Sequence, residues 1–405
     1  MLKGNFDYIP VGLQCITHIR WFTEHSIRQA LKDTGFFIDV FQKEKVPPTK
    51  EGEKFIKTMC RSGYELMAVK KDAVYVTSYC KDDEHNILPA FNEAFNSHRT
   101  LEHWRWKYDS NPFGRHKIAQ AMTNDGKIAS HYAAYPVPYY SSAQNPQKSL
   151  AYQCGDTWVD CEFRGSLKKG KQSVLYRTVH YFYRKFCIDQ IMFCYGFNTG
   201  KIREIGEKFL EYEYLPQVTC HVKDLAVHPL NGAHPIKRLW HGLSVERVTS
   251  TDRTFDIFFD RVCNDYRSLV MRHASYLKWR YLDCPDKVYH LYAVKRRGYM
   301  VGWGCFTSDK DVLFWGDALF DKKYAFTAEY LLHDVWYNDF RDTSQIYGWF
   351  STVPIWWHNA LGKMGFERRK EPNQLAPVYK GFNSQFATDF FKRNHYYTKG
   401  DSDLF

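Results

Sequence analysis

Long apolar runs are missing from this 405-residue sequence. No stretch approaches the roughly 20 apolar residues that cross a bilayer, and a mean hydropathy of -0.52 excludes a polytopic membrane protein. Residues 1–15 carry no charged segment followed by an apolar one, so nothing there directs export and a cytoplasmic protein is expected. Low-complexity tracts and blocks of like charge are also lacking, which excludes a disordered chain. Eleven cysteines are present, but none forms a Cys-x-x-Cys pair. The spacings Cys154/Cys161 and Cys187/Cys194 are wrong for common zinc sites, and His180 and the other histidines form no spaced ligand set. Buried, reduced thiols and no metal are therefore expected. What the chain does have is aromatic bulk: Tyr 29, Phe 30 and Trp 12 make 18% of it, many large, stiff side chains to pack or to line clefts. The net charge of +11 suits an anionic ligand, yet it is spread along the chain, so nucleic acid is not an expected partner. A length of 405 residues predicts two or three domains.

In the first 40 residues Thr23 can cap a helix whose apolar positions Ile27, Ala30 and Leu31 share one face, and Gly35 ends it before the strand-like FFIDV. After a break at Val46-Pro47-Pro48-Thr49, a second helix is expected near 53–60 and a strand over 64–69. The strings THIRWFTEHSIRQALKDTGF and YELMAVKK resemble the C-terminal tail of class I S-adenosylmethionine-dependent methyltransferases, over residues 1–81. That family holds its cofactor on a glycine-rich turn after its first strand. Gly4, Gly12, Gly35, Gly52 and Gly63 are scattered instead, so no methyl transfer is inferred and the segment reads as a fusion relic or a packing module.

From about residue 87 the chain repeats. Trp106-Lys107-Tyr108 returns as Trp279-Arg280-Tyr281, an offset of 173. Gly155-Asp156 returns as Gly316-Asp317 at offset 161, and Tyr195-Gly196-Phe197 as Tyr347-Gly348-Trp349 at offset 152. Three anchors in the same order imply duplication, with the second copy 21 residues shorter between the outer anchors. Each unit reads as a helix, antiparallel strands, a strand headed by the Gly-Asp pair, a long helix, another strand and a closing helix. In the first copy the strand is expected over 156–160, the helix over 172–186 and the next strand over 190–195. Arg164-Gly165 and Lys168-Lys169-Gly170-Lys171 lie between strand and helix, where unpaired amides and the positive helix end form an anion site suited to a pyrophosphate.

This order, carried by FNEAFNSHRTLEHWRWKYDSNPFG, GDTWVDCEFRG and YGFNTGKIREIGEKFLEYEYL, and by YLKWRYLDCP and NALGKMGFE in the second copy, resembles the GNAT (Gcn5-related) N-acyltransferases. The resemblance covers roughly 87–390. It implies an α/β fold of two tandem GNAT-like units with mixed, mostly antiparallel sheets flanked by helices: 87–240 as the acyl-CoA-binding unit, 250–392 as a degenerate one, and a tail at 393–405 behind the 1–81 segment. The closing YYTKGDSDLF is similar to the ending of some bacterial tandem GNAT proteins.

The resemblance also implies acetyl-CoA as co-substrate. Its pantetheine arm would pair with the strand edge at Trp158 and Val159, and its pyrophosphate would lie on the loop of Arg164, Gly165, Gly170 and Lys171. Leu167 and Lys169 replace the family's small loop residues, and lysine charges can compensate for lost backbone approach. Asn198 matches a pantetheine-contacting position, with a helix cap near Lys201 as the other reading. Glu207 stands in place of the family's tyrosine acid, leaving Tyr212 and Tyr214 as nearby phenols, Tyr212 at a packing position. Asp156 and Glu162 flank the strand and are candidates for the base that direct transfer to an ammonium needs. Asp317 recurs where Asp156 stands, which favours a structural role for both. Glycine is missing between Gly316 and Val335, so the second copy is expected to be non-catalytic.

The expected function is acyl transfer from acyl-CoA to the primary amine of a small molecule or peptide, an amino sugar among the options. A GNAT-like pseudoenzyme that binds acyl-CoA or a protein is the alternative. An aminoacyl transferase of the FemAB type and a methyltransferase follow. Acceptor and oligomeric state stay open.

Overall fold

In this computed structural model the described residues are 29, 36–45, 62–70, 74–123, 125–143, 149–164, 170–230 and 235–405. The strands expected near 36–40 and 64–69 are present as an antiparallel hairpin, β1 (Phe36–Lys45) and β2 (Ser62–Lys70). Gln29 is helical, but the rest of the expected first helix, and all of that near 53–60, lie outside the described residues.

Ile128–Ser141 form the longest strand, β5, and its first ten residues are all buried, the mark of a strand covered on both faces. Around it runs the first sheet, in the order β3 (Tyr75–Ser78), β4 (Lys117–Met122), β5, β6 (Ser149–Val159), β7 (Phe193–Asn198), β17 (Ala376–Gly381) and β8 (Glu213–Tyr214), with β11 (Ser268–Val270) on the far end of β5. One face carries α1 (Glu84–Phe95) and α2 (Leu101–Tyr108), packed through Ile87, Phe91, Trp104 and Tyr108. The other carries α3 (Val174–Phe182), through Val179 and Phe182 against Tyr132 and Ala134. α4 (Gly200–Phe209) follows β7.

The second sheet repeats the plan: β10 (Leu243–Val248), β12 (His290–Arg296), β13 (Tyr299–Asp309), β14 (Val312–Phe320), β15 (Gln345–Trp349), β9 (Thr219–Asp224) and β16 (Glu367–Lys370). Its principal helices are α5 (Arg253–Tyr266), α6 (Thr327–Asp339) and α7 (Ile355–Lys363). All neighbours in both sheets are antiparallel except β6 with β7 and β14 with β15. Among the described residues no helix is long and apolar enough to cross a membrane.

Two strands are exchanged. β9 precedes the second unit in sequence but pairs with β15 and β16 there, while β17, near the end of the chain, lies between β7 and β8. The limits expected at 87–240 and 250–392 therefore differ from the hydrogen-bonded sheets, and β3, inside the 1–81 segment, is an edge of the first sheet. The physical reason is that a short strand pairs wherever an edge is open, and sequence order does not choose the edge. The Gly-Asp pairs also differ from expectation. They lie inside β6 and β14, each at a register shift against the neighbouring strand, not at strand starts.

Candidate active site

Parallel β6 and β7 pair only at Tyr152↔Cys194 and Gln153↔Tyr195. Beyond Gln153 they part, and a cavity of about 400 Å³ opens between them, lined among others by Gln153–Thr157, Cys194–Thr199, Tyr212 and Val378 of the exchanged strand. Side chains alternate along a strand, so the cavity meets different chemistry on the two faces of the sheet. Toward α3 lie Cys154, Cys194, Tyr132 and Tyr212. There the Tyr212 hydroxyl donates to that of Tyr132 (2.9 Å), which lies 3.2 Å from the Cys154 Sγ. Burial raises both phenols, and the contact with Cys194 together with burial raises the Cys154 thiol, so all three are protonated at neutral pH.

Toward α1 and α2 the cavity meets Asp156. Its carboxylate accepts from Arg99, from Lys107 Nζ (3.1 Å) and from Tyr108 (2.6 Å). Burial opposes its charge, but Lys107 and Arg99 outweigh burial and hold the carboxyl well below the usual range. Asp156 has φ +54°, and its carbonyl lies 2.7 Å from Nδ1 of His131, which stacks on Trp158. The second unit repeats the cluster. Asp317 accepts from Arg272 (3.0 Å) and Tyr281 (2.7 Å), at the same 173-residue offset from Arg99 and Tyr108. Trp106 and Trp279 stack between the units, each indole donating to the other's carbonyl, at 2.7 and 3.0 Å.

The C-terminal tail threads this junction. Asp401 joins Arg272 and Asp317 through a 2.7 Å ion pair with Arg272, and Arg280 donates to the carbonyls of Gly400, Ser402 and Phe405. Asp403 accepts from Lys107 Nζ and from Tyr135, both at 2.9 Å, and lines the cavity. A Cβ on Gly155 would overlap the Asp403 carboxylate, and one on Gly316 would overlap the Phe405 ring. Asp403 thus stands to the first cleft as Phe405 stands to the second. Lys399 lies over the paired part of β14 and β15, its Nζ 4.4 Å from the centre of the Phe314 ring and close to Tyr347 and Trp349.

Of the residues singled out in the sequence, the cavity brings together Asp156, Asn198 and Tyr212. Asn198 donates to the Tyr214 hydroxyl (3.3 Å), and Thr199, not Asn198, occupies the cap position of α4. Trp158 and Val159 end β6 outside the cavity lining; Trp158 is buried, and the Val159 carbonyl accepts from Arg164 Nε (2.8 Å). Glu162 pairs with Lys127 (2.7 Å), away from the cavity. Glu207 lies on α4, paired with Arg203. Gly170 (φ +72°) and Lys171 form a turn before Ser173, which caps α3 by accepting from Tyr176 N–H. Gly165 and the rest of 165–169 lie outside the described residues. Sequence reasoning missed Arg99 and Lys107 as partners of Asp156, and missed Asp403. The repeat held a signal for the first two, since Arg99 and Lys107 recur as Arg272 and Arg280 at the same offset.

Asp82, Glu84 and His85 lie close enough to share an ion, outside the cavity lining, and Glu84 accepts from Tyr79 (2.7 Å).

No family model matches the chain, and no curated protein matches it. Solved structures do. A probable N-acyltransferase of unknown function from Enterococcus faecalis superposes with a TM-score of 0.54 at 12% identity, over 78% of this chain and 74% of its own. A GCN5-related N-acetyltransferase from Anabaena variabilis gives 0.55 at 11% identity, over 77% and 73%. Another from Kribbella flavida gives 0.52 at 13%, over 77% and 71%. Identities this low speak for fold alone, and together with the two sheets and their parting parallel strands they give the chain a GNAT-like fold.

Proposed function

We propose that the chain transfers an acyl group, acetyl as the simplest case, from acyl-CoA to a primary amine in the first cleft. The observation that carries this reading is the parting of β6 and β7 after one short paired stretch, which opens a passage from one face of the sheet to the other. Donor and acceptor can then meet from opposite faces without sharing a channel, and holding them so removes much of the entropic barrier to transfer. In this reading the edge of β6 that β7 leaves past Gln153, leading toward Trp158 and Val159, takes the pantetheine arm, with Asn198 opposite. Arg164, Gly165, Gly170 and Lys171 with the start of α3 take the pyrophosphate. Tyr212, which lines the cavity with its hydroxyl 2.9 Å from that of Tyr132, is the proton source for the departing thiolate.

Asp156 and Glu162 suit the base role poorly. Asp156 is buried and held by Arg99, Lys107 and Tyr108, and Glu162 is paired with Lys127 outside the cavity lining. Both Asp156 and Asp317 serve here as the centres of buried clusters. Among the described residues the second unit, with Phe405 beside Gly316, adds no residue of its own sheet to the cavity lining, and the chain reaches the acceptor side through Ser402, Asp403 and Leu404 of the tail. Leu167 and Lys169 in the phosphate loop favour the second reading, an acyl-CoA-binding pseudoenzyme. The 1–81 segment enters either reading only as a packing module.

A thermal-shift titration with acetyl-CoA, CoA and S-adenosylmethionine tests the site. A ligand held only by the native state stabilises it by about 2.7 kcal/mol at a hundredfold excess over Kd. Acetyl-CoA and CoA should shift the transition, and R164A/K171A should abolish the shift. A null result with both CoA species sinks the proposal; binding without thiol release in the presence of amines leaves the pseudoenzyme.

A further inference from the structure

Resting on that reading, we infer that Asp403 is the acceptor-binding carboxylate of the first cleft and that the acceptor is a primary amine carried on an apolar, aryl or alkyl body. Two carboxylates line the cavity, and they differ in what they have left to offer. Asp156 has a side-chain exposure of 5% and three donors. Asp403 has 23% and shares Lys107 with Asp156. Tyr135 bonds one oxygen of Asp403 at 2.9 Å, and the Gln153 amide lies at the limit of bonding, 3.5 Å. A carboxylate has about four acceptor sites; Asp156, with three full donors, is almost closed to solvent, whereas Asp403, with two, keeps exposed acceptor capacity toward the cavity.

Arg99 and Lys380 also line the cavity but are paired with Asp156 and Glu211; the large side chains left exposed around Asp403 are apolar. Phe95 is 49% exposed and Leu404, next to Asp403 in the tail, is 55% exposed, and both line the same cavity. Phe95 packs against Phe91 and edge-on to Trp158, and Leu375 and Ile202 continue the lining. Exposed large apolar side chains around one carboxylate match an ammonium on an apolar body, and not a sugar with many hydroxyls. In the reaction the ammonium gives one proton to Asp403, and the nitrogen lone pair forms the bond to the thioester carbonyl carbon. The carbon–sulfur bond breaks, the thiolate takes a proton from Tyr212, and the new amide nitrogen loses its second proton to water; Tyr212 then regains a proton from solvent and Asp403 releases its own, so one proton is set free per transfer.

The probes are 2-phenylethylamine, its neutral isostere 2-phenylethanol, and glucosamine. Binding to the full chain is followed by ligand-observed NMR without CoA, and transfer by thiol release with acetyl-CoA. Wild type should bind and acetylate phenylethylamine, bind phenylethanol about tenfold more weakly, the size of one lost charge-assisted hydrogen bond, and leave glucosamine untouched. D403N should bind phenylethylamine about tenfold more weakly and phenylethanol unchanged, with the acetyl-CoA thermal shift intact. F95Q, at an exposed site where folding is not at stake, should weaken phenylethylamine and spare methylamine. Equal phenylethylamine binding by wild type and D403N, no binding by wild type, or a preference for glucosamine overturns the inference. Because the amine titration omits CoA, loss of the acetyl-CoA shift with amine selectivity intact fails the donor reading alone.

Discussion

Arg272 has no exposed surface and bonds two buried carboxylates, Asp317 and Asp401. Taking away one member of such a group leaves the others charged and unpaired in a low-dielectric interior. R272M should therefore cost about 3–5 kcal/mol, read as a lowered denaturation midpoint, and D317N in the same background should recover part of that. Histidines set a second residue-scale expectation. Burial lowers His131 to about 4 and His221 and His395 to about 3. All three stay neutral in the native state while their unfolded forms take up protons below about 6.5. Stability is then full above pH 6.5 and falls as pH drops toward 4, by up to about 1.4 kcal/mol per pH unit for each histidine. Denaturant titrations at pH 7, 6 and 5 measure that slope, and a flat profile would show that these side chains reach solvent.

At the scale of elements, the two clefts are alike in framework and unlike in filling. β14 and β15 pair one step further than β6 and β7, through Trp315↔Gly348, and Phe405 then fills the gap beside Gly316. G155A should displace Asp403 and weaken amine binding while acetyl-CoA binding persists. G316A should displace Phe405 and lower stability without touching the first cleft. Ligand titration and thermal melts on the two variants separate the outcomes; equal effects of both on amine binding would mean that the tail moves as one rigid piece.

Much of this framework is legible in the sequence. The Trp-Lys/Arg-Tyr and Gly-Asp anchors could be read because each has a fixed chemical task, an indole stack across the units and a carboxylate held by a guanidinium and a phenol. The tail could not be read this way. Asp403 becomes a cleft residue only through contacts with Lys107 and Tyr135, 296 and 268 residues away, and no local pattern records such distances. Nor could the exchange of β9 and β17, since nothing in a short strand's own residues says which sheet edge it will join.

For the whole molecule that exchange removes any independent half. β17 completes the first sheet although β15 and β16 before it lie in the second, and β9 completes the second although β7 and β8 before it lie in the first, so cutting between β9 and β10 leaves unpaired edges on both. Fragments 74–242 and 243–405 should each aggregate or stay unfolded alone and recover native circular dichroism when refolded together. The intact chain should melt in one transition, with calorimetric and van't Hoff enthalpies in agreement; two resolved transitions would contradict the interlock.

The Phe405 ring beside Gly316 has a further consequence when seen as a tethered ligand. A group held on its own chain faces its cleft at an effective concentration on the order of millimolar. A free molecule at micromolar levels would have to bind that cleft about a thousandfold more tightly than Phe405 does to displace it. One of two duplicated clefts is thereby closed by mass action, and selection on ligand binding is left to act on the other.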